Sequence, residues 1–381
     1  MVRARNYFKL MSKLKVGILG YGVIGRRVAD AVRLQEDMEV IGVAGRPNSF
    51  SLRAAQLLGY PVFVTQAPAI GDVASRFCNI SGSLIDLLEQ CDAILDCTPS
   101  GVPTKYANAC AERRDLVRIV QGGEEHDFAG VSFNSFANYT ESAGRNLIRV
   151  ISCSSTGTTR LVFALNRAYG LREAFVTLVR RGSDPAKRPH NAINALLPVM
   201  GQSHHAPDVN TVLPALQLYS MSVDVNTTFG HVIAVQADLE RRASREDLMA
   251  TLASMPRVLV GKGLGTTADL AEHYQELGRR RRDRPEVYVW EEGLHSEGKT
   301  VYVTFSVHME SITIPETVDC LRAAFGLARD NWTSIYKTDC ALGIAKRAEY
   351  YACWRDLSKG ASQEKRELPP NAICLTDGNP P

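Results

Sequence analysis

The sequence predicts a two-domain α/β protein from the length of the chain, its composition and a change of hydrophobic pattern near Ile151. A chain of 381 residues is too long for one ordinary core and suits two domains. Its composition, 45% hydrophobic and 22% charged, is typical of a globular protein. Before Ile151, apolar strands alternate with helices, which predicts βαβ units and a parallel sheet. After it, β-rich segments with polar alternation predict a sheet with one face wet or covered by helices.

The first domain is predicted from nine successive segments. Its strands are KVGILG, MEVIGVAG, YPVFV, DAILDCTP and LVRIVQGG. The helices between them are GVIGRRVADAVRLQ, SLRAAQLLG, SLIDLLEQC and TKYANACAERR. Apolar residues recur at helical spacing in the first of these helices, which supports the assignment.

The second domain is predicted to contain the strands REAFVTLVRRG, HVIAVQADLE, VYVW and KTVYVTFSVHME. A helix in SREDLMATLASM begins at the capping residue Ser244, with an acidic residue three places on. A helix in ADLAEHYQELG is closed by Gly278, and one in PETVDCLRAAFG is opened by Pro315. The polar, proline-containing end of the chain is expected to be loosely ordered.

Charge and cysteine usage narrow the functional class. The formal net charge of +3 gives no support to a nucleic-acid-binding or membrane-surface protein. One basic run, Arg279 to Arg282, is either a solvated or subunit-contact face or an anion site. The nine cysteines include no CxxC pair, so we expect reduced thiols, no disulfide framework and no metal site. The N-terminal residues lack the apolar core of a signal peptide, and no apolar run could span a bilayer, so we expect a soluble, cytoplasmic protein.

A glycine motif follows the first predicted strand. GILGYGVIG places Gly20, Gly22 and Gly25 in a G-x-G-x-x-G run between a strand and a helix. The first glycine makes the tight turn, the second lets the backbone approach a pyrophosphate, and the third allows close packing of helix and strand. The positive end of the helix favours an anion. The motif therefore predicts a dinucleotide site, the alternative being a glycine-rich turn without cofactor.

The end of the second strand bears on the choice of dinucleotide. Dinucleotide sites selective for NAD commonly have an acidic residue there, which binds the ribose hydroxyls. Here the strand ends in VAGRPN, without a carboxylate, and Arg46 supplies a planar donor fork suited to phosphate. We therefore expect NADP to be accepted and preferred, with NAD used less well; the alternative is that Arg46 points to solvent.

Cys153 follows a buried strand and precedes a helix in VISCSSTGTTRLVFAL. Later segments contain two adjacent arginines in RRGSDP, two histidines in SHHAPDV, and His231 at the end of NTTFGH. Each has an ordinary structural interpretation, since buried cysteines are usually inert. Together with a nucleotide domain they form a coherent set: a thiol nucleophile, a histidine base and cations for an anionic substrate.

These motifs resemble those of the archaeal-type (class II) phosphorylating glyceraldehyde-3-phosphate dehydrogenases, which use NAD or NADP. The matching segments run in family order over about residues 14–345: GYGVIGRRVADAV, DMEVIGV, QGGE, SCSSTG, LVRRGSDP, NAI, SHHAPDV, MPRV, LGR, VHMES and ALGI. The resemblance implies an N-terminal Rossmann dinucleotide-binding domain (14–152), a mixed α/β catalytic domain (153–308) and C-terminal helices returning to the first domain (309–346). A loosely ordered tail (347–381) would follow. It also implies a homotetramer.

The resemblance assigns roles residue by residue. Cys153 matches the nucleophile, and His231 matches the general base. The matching substrate-binding residues are Ser152, Ser154, Thr156, Arg181, His204, His205 and Ala206. The matching cofactor-binding residues, beside the three glycines and Arg46, are Val23, Ile24, Gly123, Arg181 and Met309.

This chain departs from the family pattern at several of these positions. Leu19 stands where the family has asparagine, and Ser154 and Ser155 replace asparagine and threonine. Ala206 replaces glycine, and Met309 replaces a glutamine that approaches the nicotinamide end of the cofactor. The departures leave the chemistry intact but bear on substrate choice and affinity.

The implied reaction oxidises glyceraldehyde 3-phosphate, with inorganic phosphate and NAD(P), through a thioester on Cys153. We expect the helix N-terminus, beginning near Thr156, and the surrounding cations to lower the pKa of the thiol. Arg181, Thr156 and His205 would bind the phosphates. The departures leave a related semialdehyde or acyl-phosphate reductase as an alternative, and a catalytically inactive redox-sensing or binding protein as another.

Overall fold

The computed structural model describes residues 12–121, 123–182 and 195–358. The α-helices are α1 Val23–Arg33, α2 Phe50–Leu57, α3 Val73–Phe77, α4 Leu84–Gln90, α5 Ala107–Ala111, α6 His126–Ala129, α7 Cys153–Tyr169, α8 His205–Asn210, α9 Arg245–Ser254, α10 Thr267–Glu276, α11 Ile314–Phe325, α12 Asn331–Ala341 and α13 Ala348–Ser358. Short 3₁₀ helices span Pro103–Tyr106, Tyr139–Ser142 and Arg280–Arg282.

The strands form two sheets. They are β1 Leu14–Leu19, β2 Met38–Gly45, β3 Val62–Val64, β4 Ile80–Ser83, β5 Ala93–Asp96, β6 Val117–Val120, β7 Ser132–Phe133, β8 Leu147–Val150, β9 Leu171–Arg181, β10 Leu197–Pro198, β11 Gln217–Val225, β12 His231–Leu239, β13 Val258–Gly261, β14 Val287–Glu297 and β15 Thr300–Val307. In the described part of the chain, no helix is long and apolar enough to cross a membrane.

One compact unit contains the described chain up to Ser135, Tyr139–Val150 and Ile314–Leu342. Its sheet has the order β4-β3-β2-β1-β5-β6-β8-β7, and all of its pairings are parallel. Because β1 lies between β2 and β5, the strand order reverses there, and a crevice opens at the carboxyl ends of these strands. This arrangement confirms the predicted Rossmann-type parallel sheet.

Helix α11 belongs to this first unit and is fixed to it by polar contacts. Arg322 donates to both carboxylate oxygens of Asp37, at 2.8 and 2.9 Å. Thr317 accepts a 2.6 Å hydrogen bond from the side chain of Gln121, which follows β6. The Arg322–Asp37 bonds are charge-assisted, and bonds of this kind are among the stronger contacts in proteins, so they fix the helix against the sheet.

The second unit contains Phe136–Asn138, Ile151–Thr313 and the described chain from Gly343 onward. Its sheet has the order β10-β11-β9-β12-β15-β14-β13. Two pairs, β11 with β9 and β13 with β14, are parallel, and the others are antiparallel. This sheet confirms the predicted mixed α/β domain. The capping box of Ser244 with Asp247 at α9 also forms as predicted.

Helix α7 is the main helix of the second unit, and most of it is buried. Arg160, near its middle, is fully buried and donates to three backbone carbonyls. Its partners are Pro285 at 2.7 Å, Arg257 at 3.3 Å and Ile312 at 2.9 Å. The helix that begins at the predicted nucleophile is therefore tied to three other segments of the unit.

The predicted loose tail from residue 347 is wrong for its first part, because α13 spans Ala348–Ser358. Trp354 is fully buried, and its indole N–H donates to the Ser254 hydroxyl at 3.2 Å. Its ring lies 6.4 Å from that of Phe163 on α7. Aromatic burial against α7 thus orders this segment. The remainder of the predicted tail, 359–381, lies outside the described residues.

Candidate active site

The glycine motif forms the turn between β1 and α1. Gly20 has a φ of +89°, which L side chains rarely adopt, and a Cβ added at Gly25 would clash with the carbonyl oxygen of Gly20. A Cβ added at Gly22 would meet no described atom within 4 Å. Gly22 therefore keeps open space at the start of α1, where Val23 and Ile24 form the first turn. This cradle fits a pyrophosphate on a helix N-terminus.

Two other predicted cofactor residues belong to the same unit. Arg46 directly follows β2 and is exposed, so its guanidinium is available at the carboxyl edge of the sheet next to β1. Gly123 follows β6 with a φ of +83°, and a Cβ there would also meet no described atom within 4 Å. Its neighbour Gly122, part of the QGGE motif, lies outside the described residues.

The predicted nucleophile is the first residue of α7. Ser152 is the N-cap, so the helix begins at Cys153 and not near Thr156 as the sequence predicts. The backbone N–H of Ser152 donates to a carboxylate oxygen of Asp208 at 3.1 Å, which fixes the approach to the helix. The Sγ atom of Cys153 lies 3.8 Å from Nε2 of His231. Since β12 begins at His231, helix and strand ends bring the predicted thiol and histidine together.

The protonation of the thiol differs from the sequence-based expectation. Burial raises the pKa of Cys153 above its ordinary value and outweighs the opposing effects of Arg180 and of hydrogen bonds from Ser154, which lower it. Glu310 adds a smaller upward shift. The prediction of a lowered thiol pKa is therefore wrong for the protein without ligands, because desolvation penalises the thiolate more than nearby cations favour it.

His231 is held neutral and in one tautomer. Its pKa is lowered to about 3 by burial and, to a lesser extent, by the charges of Arg180, Arg181 and His308. Its Nδ1 accepts the backbone N–H of Arg181 at 2.9 Å. A neutral imidazole that accepts at Nδ1 carries its proton on Nε2. The nitrogen that faces Cys153 is therefore an N–H donor.

The side chain of Arg181 is engaged inside the protein. It donates to Glu310 at 2.6 Å and to the carbonyl of Thr228 at 3.1 Å. Glu310 also lies 3.4 Å from Nε2 of His308, whose Nδ1 shares a 2.7 Å hydrogen bond with Ser311. Arg181 thus positions His231 through its backbone, and its guanidinium is paired with a carboxylate.

Arg180 is the first arginine of the pair in RRGSDP, which the sequence predicts to supply cations for an anionic substrate. Its side chain is 28% exposed and lies 3.6 Å from Asp224 on the neighbouring strand. Its charge contributes to the lowered pKa of His205 and of His231 and opposes the raised pKa of Cys153. Neighbouring residues of a β-strand point to opposite faces of the sheet, which explains why the side chain of Arg180 is partly exposed whereas that of Arg181 is buried.

The predicted substrate loop packs next to this group. The rings of His204 and His205 stack with centroids 4.0 Å apart. His204 is exposed, whereas His205 is buried, and its pKa is lowered to about 3, chiefly by burial and also by His204, Arg180 and His231. Ala206 is buried and donates its backbone N–H to the Ser220 hydroxyl at 2.9 Å.

The remaining predicted residues have more varied positions. Ser154 is buried in the first turn of α7. Thr156 is also buried and donates its hydroxyl to the carbonyl of Ile151 at 3.3 Å, so its side chain serves the helix start. Met309 is partly exposed between His308 and Glu310.

Comparisons with known proteins show which enzymes this chain is similar to. The model for the C-terminal domain of glyceraldehyde 3-phosphate dehydrogenase matches residues 152–272. A glyceraldehyde-3-phosphate dehydrogenase of Hyperthermus butylicus is 39% identical over 341 residues, which are 88% of this chain and 99% of that protein. The enzyme of that name from Methanobacterium bryantii is 39% identical over 334 residues, covering 86% of this chain and 99% of that protein.

Solved structures show the same fold at low sequence identity. Aspartate semialdehyde dehydrogenase II of Vibrio cholerae, in complex with ASA, has a TM-score of 0.57 and 16% identity. The match covers 82% of this chain and 98% of that one. At this identity the likeness concerns the fold alone.

Proposed function

Because the chain belongs to the glyceraldehyde-3-phosphate dehydrogenase family, we propose that it oxidises D-glyceraldehyde 3-phosphate, with inorganic phosphate and NAD(P)⁺, to 1,3-bisphosphoglycerate, and that it also runs the reverse reduction. The observation on the chain that carries the proposal is the pair of Cys153 Sγ and His231 Nε2, 3.8 Å apart at the first turn of a helix. Relatives of this name support it over a semialdehyde reductase or an inactive homologue.

The reaction begins at Cys153. The thiol loses its proton to solvent, and the thiolate attacks the aldehyde carbon, so that a C–S bond forms and the carbonyl electron pair moves to oxygen. The Nε2–H of His231 donates first to the sulfur and then to this oxyanion, since Nδ1 is occupied by the Arg181 N–H. A donor in this position stabilises the alkoxide, and no proton has to be removed from it. This role replaces the general base expected from the sequence.

The second half of the reaction releases the acyl group. A bound nicotinamide cofactor supplies the acceptor for the hydride that leaves the alkoxide, and the product is a thioester on Cys153. Inorganic phosphate then attacks the thioester carbon, and Cys153 leaves as thiolate. Arg180 favours this thiolate and attracts the anionic substrate, because its partly exposed charge acts on the thiol.

The proposed cofactor is NADP in preference to NAD. Gly20, Gly22, Val23, Ile24 and Gly25 would hold the pyrophosphate, and the exposed Arg46 would bind the 2′-phosphate. A charge-assisted contact of about 1.5–3 kcal/mol corresponds to roughly a tenfold to hundredfold preference. The Arg46→Ala variant should lower the ratio of kcat/KM for NADP to that for NAD by this factor. An unchanged ratio, or an outright preference of the wild type for NAD, would contradict the proposal.

A steady-state assay tests the function as a whole. We expect oxidation of glyceraldehyde 3-phosphate that depends on phosphate and on Cys153, with little turnover of aspartate semialdehyde. The Cys153→Ser variant should bind cofactor normally, as measured by fluorescence titration, and should have no measurable dehydrogenase activity. Preference for aspartate semialdehyde would identify the reductase alternative, and substantial activity of the serine variant would exclude the thioester.

Assembly and location are proposed on separate grounds. We propose a homotetramer, supported by apolar side chains exposed on one face of β9 and β11: Phe175, Val179, Tyr219 and Met221. Light scattering should give four times the chain mass, and Met221→Glu should reduce it.

We propose a cytoplasmic location because the eight cysteines in the described chain are all free thiols.

A further inference from the structure

The loop that follows β5, residues 97–102, packs against the glycine turn of the first unit. A Cβ added at Gly20 would lie 3.1 Å from the backbone of Cys97 and 3.1 Å from Cγ2 of Thr98. In the sheet, β5 lies on the opposite side of β1 from β2, so this loop and Arg46 lie on opposite sides of the crevice. A dinucleotide that crosses the crevice with its adenosine half at Arg46 therefore has its nicotinamide half at this loop.

Both ends of the loop are held by buried charged groups. Asp96, the last residue of β5, is fully buried and accepts the backbone N–H of Thr98 at 3.1 Å and its hydroxyl at 2.5 Å. The other carboxylate oxygen accepts from Arg118 on β6 at 2.6 Å, and the same guanidinium donates to the carbonyl of Pro103 at 2.6 Å. These charge-assisted bonds fix where the loop begins and where it ends.

The middle of the loop is held by Glu124, which follows β6. Its Oε1 accepts the backbone N–H of Gly101 at 2.7 Å. Gly101 has a φ of +77°, and a Cβ added there would meet no described atom within 4 Å. Packing therefore leaves this part of the loop unconstrained, and a glycine backbone is flexible, so the carboxylate determines its position. Glu124 is 7% exposed, whereas the neighbouring Glu125 is exposed.

The backbone of Glu124 is itself fixed to the sheet. Arg149 on β8 donates Nη1 to the carbonyl oxygen of Glu124 at 2.8 Å and its other two nitrogens to the Ser132 hydroxyl at 2.7 and 3.0 Å. Three residues earlier, Gln121 donates to Thr317 at 2.6 Å. The carboxylate of Glu124 is thus presented to the loop from a rigid base.

We propose that Glu124 is a positioning residue for the dinucleotide, whose carboxylate holds the loop after β5 in the conformation that receives the nicotinamide half. A loop already held in its binding conformation loses less conformational freedom when the ligand binds. A loop that adopts this conformation only part of the time weakens the apparent affinity by the corresponding fraction. The inference rests on the nicotinamide cofactor of the proposed function and gives Glu124 a role in binding that cofactor.

Titration with cofactor, in the absence of substrate, tests this role. NADPH, followed by its fluorescence, should bind Glu124→Leu about 10- to 100-fold more weakly than the wild type, the loss that corresponds to a hydrogen bond with a charged group. Glu124→Gln keeps an acceptor oxygen and should bind NADPH at least about fivefold more tightly than Glu124→Leu. Glu125→Leu is the matched control and should bind NADPH as the wild type does, because that side chain is exposed and does not cap α6.

A milder variant covers the case in which Glu124→Leu fails to fold. Glu124→Asp keeps the charge but shortens the side chain by one methylene, so that the carboxylate no longer reaches the Gly101 N–H. It should weaken NADPH binding by at least about threefold, as for the loss of one hydrogen bond.

A fragment of the cofactor separates positioning of the loop from a general loss of structure. Adenosine 2′,5′-bisphosphate carries the adenosine half alone and should bind the wild type and Glu124→Leu equally, as measured by calorimetry. NADH and adenosine 5′-monophosphate replace this pair of ligands if the wild type prefers NAD. In turnover, the Glu124→Leu change should raise KM for the cofactor and leave kcat at saturating cofactor unchanged.

The outcomes distinguish this inference from the proposed function. Equal NADPH affinity in the wild type, Glu124→Leu and Glu124→Asp would overturn the role of Glu124 and leave the proposed function standing. A parallel loss of affinity for the adenosine fragment would also overturn it, because Glu124 would then support the unit as a whole. A wild type that binds no nicotinamide dinucleotide would overturn the proposed function and this inference with it.

Discussion

At the Cys153–His231 pair, burial decides which atoms carry protons. The thiol is held as S–H because its pKa is raised, and the imidazole is held neutral because its pKa is lowered to about 3. The Arg181 N–H then leaves Nε2 as the protonated nitrogen. The residue types of the pair could be predicted from the sequence. The tautomer could not, because it depends on a backbone contact between residues 50 positions apart.

The same contact gives a prediction about His231. Its replacement by glutamine keeps a side-chain N–H donor of similar reach, whereas leucine removes the donor. We expect His231→Leu to lower kcat by about 10²–10³-fold, as for loss of one oxyanion donor, and His231→Gln to retain at least about tenfold more activity than leucine. Both are measured by steady-state kinetics, with thermal unfolding as the control for folding. Equal losses in the two variants would instead indicate a general base.

The two arginines at the end of β9 show where sequence reasoning stops at this scale. Both arginines of the pair end the same strand, and the family resemblance points to Arg181. The structure pairs Arg181 with Glu310 and leaves Arg180 partly exposed. The signal that could have indicated this is the carboxylate in VHMES, since a buried arginine needs such a partner.

At the scale of elements, helices with a cap and an apolar face could be predicted and the C-terminal helix was missed. Helices α1 and α9 form where periodicity and capping place them. Helix α13 also carries aromatic residues at helical spacing, Tyr350, Tyr351 and Trp354. The polar, proline-containing stretch after it concealed that pattern, and its packing partner on α7 is far away in the sequence.

This helix provides a test of stability. Trp354→Ala should lower the free energy of unfolding by about 3–5 kcal/mol, because it empties a fully buried site between α7 and α9 and removes the indole N–H that donates to the Ser254 hydroxyl. Glu349→Ala, an exposed change on the same helix, should alter it by less than about 0.5 kcal/mol. Urea unfolding measures the free energies of both variants when it is followed by the circular dichroism of the backbone, a signal that does not depend on the tryptophan that is removed. Similar small effects in the two variants would mean that α13 contributes little to folding.

At the scale of the whole molecule, buried neutral histidines make stability depend on pH. His205 and His231 have pKa values lowered to about 3 from 6.5, so the unfolded chain binds protons at these sites before the folded one does. Their contribution is intact above pH 6.5 and is lost progressively as the pH falls toward 3.

The expected loss at pH 5 is on the order of 2 kcal/mol for each histidine, relative to neutral pH. His205→Gln should therefore reduce the difference in unfolding free energy between pH 7 and pH 5 by about that amount. His295→Gln, at an exposed position, serves as the matched control and should leave the difference unchanged. A wild type as stable at pH 5 as at pH 7 would contradict the buried, neutral state of these rings.

The buried hydrogen bonds of Arg160 determine how the position of Cys153 responds to ionic strength. Its bonds to three carbonyls of the second unit are fully buried, and bonds out of contact with water are weakly screened by dissolved ions. The helix that begins at Cys153 is thus held by contacts that dissolved ions screen only weakly. Arg180 is partly exposed and Arg46 is exposed, so their charges are screened more strongly. Rising ionic strength should therefore weaken the capture of anionic substrate and cofactor while the spacing of sulfur and imidazole stays the same, so that KM changes and kcat persists.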